Sequence, residues 1–169
     1  MKRESGWAEP EYIIGQPRIQ MTGGFYYLHV EEKHVAESEV GMYIGSLMNQ
    51  IYAAYEQGFG KAERPPLLAM FIDVPNEPNI YDMELGYAVP EGTPPSGQAQ
   101  VRYVEPTLVA SVLVWGALDV IPKSYGPLLE FVETAGHRSI VGWREWYLYW
   151  EDADSMNNVT WVQHMVEEA

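Results

Sequence analysis

Glu145 is the single carboxylate in Trp143-Arg144-Glu145-Trp146-Tyr147-Leu148-Tyr149-Trp150, a stretch that also carries five aromatic rings. A carboxylate among rings loses most of its water. It must then pair with a cation or hold its proton above the usual carboxylate range. Ionised, it can meet the positive centre of a bulky cationic ligand. Protonated, it can serve as a general acid at neutral pH. The plainer alternative is a strand that packs rings on both faces while Glu145 pairs with a neighbouring arginine. Acid catalysis also needs a second group to orient water. Glu84, Glu105, Tyr103 and Tyr125 are candidates, with Glu84 first because the other face of its strand is apolar; its own alternative is to face solvent or an arginine. Rings suited to line a pocket for a flat, greasy molecule are Tyr43, Tyr103, Trp115, Trp143, Tyr147 and Trp161.

Other chemistries are excluded or unsupported. The chain has no cysteine, so disulfides, thiolate nucleophiles and cysteine-based zinc sites do not arise. His29, His34, His137 and His164 lack metal-ligand spacing, so no metal site is expected. No glycine cluster forms a phosphate-binding loop, Ser111 lacks the context of a nucleophile elbow, and no cofactor is implied. Asp and Glu outnumber Lys and Arg by 24 to 10, a net charge of −14. Nucleic-acid binding rests on basic side chains that neutralise phosphates, so no direct nucleic-acid partner is expected. The first residues lack the apolar core of a signal peptide, and no apolar run reaches membrane-spanning length. A cytoplasmic protein with no membrane partner is the expectation.

The elements that must position these residues are legible as periodicity. As a strand, the aromatic stretch puts Trp143, Glu145, Tyr147 and Tyr149 on one side and Arg144, Trp146, Leu148 and Trp150 on the other. Upstream, a strand with a bulge at Gly23-Gly24 is expected over about 17–30. A helix follows over about 35–57, with Val40, Ile44, Leu47, Met48, Ile51 and Tyr55 on one face and Gly58 as its cap. Strands at about 67–72 and 80–87 come next, then a Pro- and Gly-rich linker. The order then repeats: a long strand over about 100–117 interrupted near Glu105-Pro106, a helix over about 123–135, the aromatic strand over about 139–151, and a last strand over 159–166. The fold class is α+β, built as βαββ, linker, βαββ, with a cleft between the two units. The boundaries are an N-terminal tail over 1–16, module one over about 17–89, a linker over about 90–99 and module two over about 100–166.

Tyr125-Gly126-Pro127-Leu128-Leu129-Glu130-Phe131-Val132-Glu133-Thr134-Ala135-Gly136-His137, followed by Trp143-Arg144-Glu145-Trp146-Tyr147-Leu148, is a helix ending in Gly and then an Arg-Glu-x-Tyr-Leu strand. This resembles the C-terminal half of the gyrase-inhibitor-like (GyrI-like) family, also described as the bacterial transcription-activator effector-binding domain. Asp82-x-Glu84 followed by Val89-Pro90 is similar to the family's mid-chain pattern, and the resemblance covers roughly 17–166. It implies two βαββ modules related by a pseudo-twofold axis with a ligand groove between them. It also implies hydrophobic, often cationic, ligands, with Glu145 at the pocket base meeting the positive charge. Many relatives carry a preceding helix-turn-helix. None precedes the first module here, so transcriptional activation by this chain alone is not expected. Some stand-alone relatives are hydrolases that open the cyclopropane of DNA-alkylating natural products, and the founding type inhibits DNA gyrase. Three classes therefore stand: a small-molecule binding protein, a hydrolase using the same pocket, and an inhibitor or sensor working with another, unidentified protein.

Overall fold

The computed structural model describes residues 11–61 and 63–169, so residues 1–10 of the expected tail lie outside the described residues. From residue 11 the chain forms β1 (Ile13–Ile14), β2 (Arg18–Thr22), β3 (Phe25–Ala36), α1 (Val40–Phe59), β4 (Leu67–Asp73), β5 (Ile80–Val89), β6 (Gln100–Val104), β7 (Thr107–Trp115), α2 (Tyr125–Thr134), β8 (His137–Tyr149) and β9 (Val159–Glu168). A 3-10 turn at Glu37–Glu39 leads into α1, and another at Leu118–Ser124 leads into α2. The architecture is α+β. All strands join one antiparallel sheet in the order β1-β7-β9-β8-β4-β5-β3-β6, with β2 also on β7.

Two expected long strands are each two strands with different partners. The 17–30 segment is not one bulged strand: β2 pairs with β7 whereas β3 pairs with β5 and β6. The break falls at Gly23-Gly24, where the ring of Tyr103 packs so closely that a Cβ on Gly24 would lie 2.1 Å from its hydroxyl oxygen. The 100–117 segment divides likewise at Glu105-Pro106 into β6 on β3 and β7 on β9. Proline cannot donate to a ladder, and the chain uses that gap to change partners. Helix α1 starts at Val40 rather than near Val35, because Val35 and Ala36 still pair with Tyr81 and Ile80 in the sheet. It also runs past Gly58 and is capped at Gly60.

The helices cover one face of the sheet. Leu47, Ile51, Ala54 and Tyr55 of α1 bury against Leu28, Val30, Ala69, Phe71, Met83 and Leu85. Leu128 and Val132 of α2 bury against Ala110, Val112, Val162 and Val166. Burying such aliphatic side chains contributes about 1.5–3 kcal/mol each. On the opposite face Phe25 of β3 meets Trp146 of β8 with ring centroids 5.4 Å apart, although β5 and β4 lie between them. A flat sheet would separate such strands by about 14 Å. The sheet is therefore curled into a half-barrel, concave away from the helices and lined there by Tyr27, Leu68, Met70 and Val104.

Candidate functional site

Strand β8 aims Glu145 at the helix-covered face by means of a bulge. Its pairing with β9 shifts register between Ser139 and Trp143, and Val141 and Gly142 there take φ of 43° and 97°. Only glycine adopts the second of these without strain. A Cβ on Gly142 would also meet the Phe71 carbonyl oxygen at 1.9 Å, so β8 lies on β4 at a separation that only glycine permits. Beyond the bulge, Trp143, Glu145 and Tyr147 sit opposite Phe71, Ala69 and Leu67 of β4 and opposite His164, Val162 and Thr160 of β9.

Glu145 is 5% exposed. Tyr125 of α2 donates a short hydrogen bond to Oε1, and Tyr147 donates to Oε2 at 2.7 Å. The Trp143 indole N–H also favours the ionised carboxyl, although it meets no partner at good hydrogen-bond geometry among the described residues. Burial pushes the carboxyl above the usual carboxylate range, and the Tyr125, Tyr147 and Trp143 donors oppose that rise. Burial, then the nearby Glu145 charge, raises both phenols well above their ordinary value, so both stay protonated donors. Among the described residues no Lys, Arg or His stands within ion-pair distance of Glu145. The alternative of a structural Arg–Glu145 pair is thus not what the structure holds. Trp143 is wedged among rings, with centroids 5.2 Å from Phe71, 4.8 Å from Tyr81, 5.5 Å from Tyr125 and 5.8 Å from His164. Such pairs contribute about 0.5–1.5 kcal/mol each beyond burial and fix the cage around the carboxyl.

A cavity of about 680 Å³ opens on this face. Tyr147 and Leu67, with Leu85 and Tyr87 of β5, form its floor, and Ile44, Met48 and Tyr52 of α1 form one wall. Leu118 and Leu148 to Trp150 form the other. Glu145 lies beneath Tyr147, one hydrogen bond from the lumen. Arg64 at the rim places its guanidinium 4.1 Å over the Tyr52 ring, so an aromatic wall of this cavity already holds a cation.

The other expected site residues are not brought together here. Glu84 is buried on the opposite, concave face, because it follows Met83 and precedes Leu85, which both face α1. Arg102 clamps its carboxylate with contacts of 2.8 and 3.0 Å, and His29 lies 3.7 Å away. Glu84 and Glu145 therefore do not share a pocket, and the arginine alternative describes Glu84. His29, Glu31 and Glu84 have ligand atoms within 4.8 Å of one another, but the Arg102 clamp occupies both Glu84 oxygens. Tyr43 packs against the core under α1. Tyr103 is 45% exposed beside Tyr26 at the far sheet edge, where Arg102, not Tyr103, points to the concave side. Trp115 and Trp161 line a separate hollow of about 520 Å³ on the concave face. Of the six expected pocket rings, Tyr147 lines the main cavity and Trp143 braces the carboxyl below it. Tyr52, Tyr87, Arg64 and Trp150 escaped the sequence reading. For Tyr52 the signal was available: it lies four residues after Met48 and eight after Ile44 on one helix face.

No known protein-family model matches this sequence, and no curated protein matches it. The fold is nevertheless shared with solved structures. The EcmrR C-terminal domain superposes with a TM-score of 0.69 at 17% identity, over 92% of this chain and 99% of that one. EcmrR in the cryo-EM EcmrR–DNA complex gives 0.69 at 18% identity over 94% of this chain, which spans 59% of the EcmrR length. SAV2435 bound to tetraphenylphosphonium gives 0.58 at 12% identity, over 90% of this chain and 94% of that one. At these identities the likeness is one of fold: the chain is built on the same frame as the C-terminal domain of EcmrR.

Proposed function

We propose that this protein binds bulky hydrophobic cations in the cavity between α1 and the 118–150 side, with Glu145 as the buried counter-charge. The observation that carries this reading is a carboxylate without a cation of its own among the described residues, caged by two tyrosine hydroxyls under an aromatic cavity. A buried charge needs a partner. A ligand that displaces the Tyr147 ring would bring its positive centre to that carboxylate in a low-dielectric setting, where the attraction is strongest. The Arg64–Tyr52 stack supports the same chemistry, as does the tetraphenylphosphonium held by SAV2435 on a similar fold.

This reading places the chain in the GyrI-like family as an effector-binding domain. The strand order supports it. From the centre outward one half runs β4-β5-β3-β6 and the other β8-β9-β7-β2, the same sequence of roles twice, which is what two βαββ modules about a pseudo-twofold axis would give. The test is titration with tetraphenylphosphonium against neutral triphenylphosphine oxide, followed by tryptophan fluorescence. Saturable micromolar binding of the cation, about −8 kcal/mol, with far weaker binding of the neutral compound, is the expected result. Equal responses would refute the counter-charge.

Hydrolysis is the second reading, favoured by the raised proton affinity of the buried Glu145 carboxyl, which suits a proton donor. Tyr125 replaces Glu84 as its neighbouring polar group. Incubation with a cyclopropane-containing alkylator and analysis for the hydrated product decides between turnover and sequestration.

A further inference from the structure

The concave face carries a second, opposite electrostatic imbalance. Strand register places Arg18, Ser111, Gln163, Arg144, Met70 and Glu84 in one cross-strand row on that face. Ser111, Gln163 and Arg144 are 3%, 0% and 2% exposed. Arg144 Nε and Nη1 and both amide atoms of Gln163 are buried without a hydrogen-bond partner among the described residues. More than nine in ten buried polar groups are satisfied, so four unpartnered atoms on two adjacent strands, β8 and β9, call for a reason. The Glu84 carboxylate of this face is taken by Arg102. The guanidinium of Arg144 cannot lose its proton in a protein, and the charged side chain that acts on it is Arg102, of like sign. Next to this row, Ser111 and Arg18 line the hollow of about 520 Å³, whose remaining walls include Trp115, Leu148 and Trp161.

We propose that this hollow is a second ligand site, for an amphipathic carboxylate. Its apolar body would rest against Trp115, Leu148 and Trp161, and its carboxylate would reach past Ser111 to the buried Gln163 amide and Arg144 fork. Arginine receives a carboxylate through two parallel hydrogen bonds, and the Gln163 amide and Ser111 hydroxyl supply further donors. The aromatic and aliphatic walls favour an apolar acid over a bare inorganic anion. The hollow lies on the sheet face opposite Glu145 and shares Leu148 at its edge with the cation cavity, so cations and acids would bind on opposite faces of one sheet.

The test uses 2-naphthoate as probe, with 2-naphthamide as its uncharged isostere and acetate and inorganic phosphate as bare anions. Naphthoate should quench tryptophan fluorescence saturably, with the amide, acetate and phosphate each at least tenfold weaker. Arg144→Met, which keeps length but removes the charge, should lose naphthoate at least tenfold while melting no lower than wild type, since it removes an uncompensated buried charge. Gln163→Leu should also weaken naphthoate and serves if the first variant does not fold. Equal binding of acid and amide, no binding of naphthoate, phosphate binding as tightly as naphthoate, or wild-type naphthoate affinity in either folded variant would overturn the proposal.

Discussion

Glu145 is surrounded by groups that pull its proton affinity in opposite directions, and the balance should be visible as a pH profile. Burial raises its pKa and the Tyr125 and Tyr147 donors lower it. Protonation removes the counter-charge. Affinity for a cation should therefore fall on acidification starting above the usual carboxylate range, while the neutral comparator stays flat. Tyr147→Phe keeps the ring but removes one donor to the ionised carboxyl, so it should move that decline to higher pH. A pH-independent affinity between the ordinary carboxylate range and neutrality would mean that Glu145 does not carry the interaction.

The elements hold this residue by register, and β8 is where register is most exposed to attack. Gly142 combines a φ of 97° with a Cβ position 1.9 Å from the Phe71 carbonyl. Gly142→Ala should cost at least about 2 kcal/mol, from strain and the clash together, and should shift the melting transition down in calorimetry. Much of β8 was legible in its sequence. Alternation alone put Trp143, Glu145 and Tyr147 on one side, which is the side they occupy. Helix α1 was legible from its apolar spacing; its end runs two residues further to Phe59, and its start was misplaced because Val35 and Ala36 could pair in a sheet or continue a helix. The hidden part was partner exchange. Gly23-Gly24 and Glu105-Pro106 look like interruptions within a strand, and nothing local says that the chain beyond each joins a different neighbour. Nor does the sequence say which face of each strand the helices cover, and so the expected pocket mixed residues from both sides of the sheet. Tyr125 was among the candidates to accompany Glu145, ranked behind Glu84; its bond to Glu145 depends on where α2 docks.

Across the whole molecule, charge and acid stability give two further outcomes. With a net charge of −14 the chain alone should give no mobility shift with random duplex at low salt, where electrostatic association is strongest; a salt-sensitive complex would contradict this. Burial lowers the His164 pKa from 6.5 to about 4. The unfolded chain thus takes up a proton that the folded one resists. The stability His164 contributes is full above 6.5 and is lost as pH falls toward about 4, on the order of 3 kcal/mol over that window. His164→Phe preserves the stack on Trp143 and should flatten the decline in melting temperature; an unchanged decline would place the acid sensitivity elsewhere. Glu145 acts with the opposite sign. Its raised pKa means the folded state holds the proton more tightly, so the ionised group costs stability as pH rises through its folded value. Glu145→Gln should therefore melt no lower than wild type at neutral pH. The most direct measurement is calorimetric titration of tetraphenylphosphonium into wild type and Glu145→Gln at neutral pH. The expected result is a loss of about 2–3 kcal/mol, roughly 30- to 150-fold in Kd, with the melting temperature held. A Gln variant that melts earlier yet binds the cation as tightly as wild type would remove Glu145 from the site.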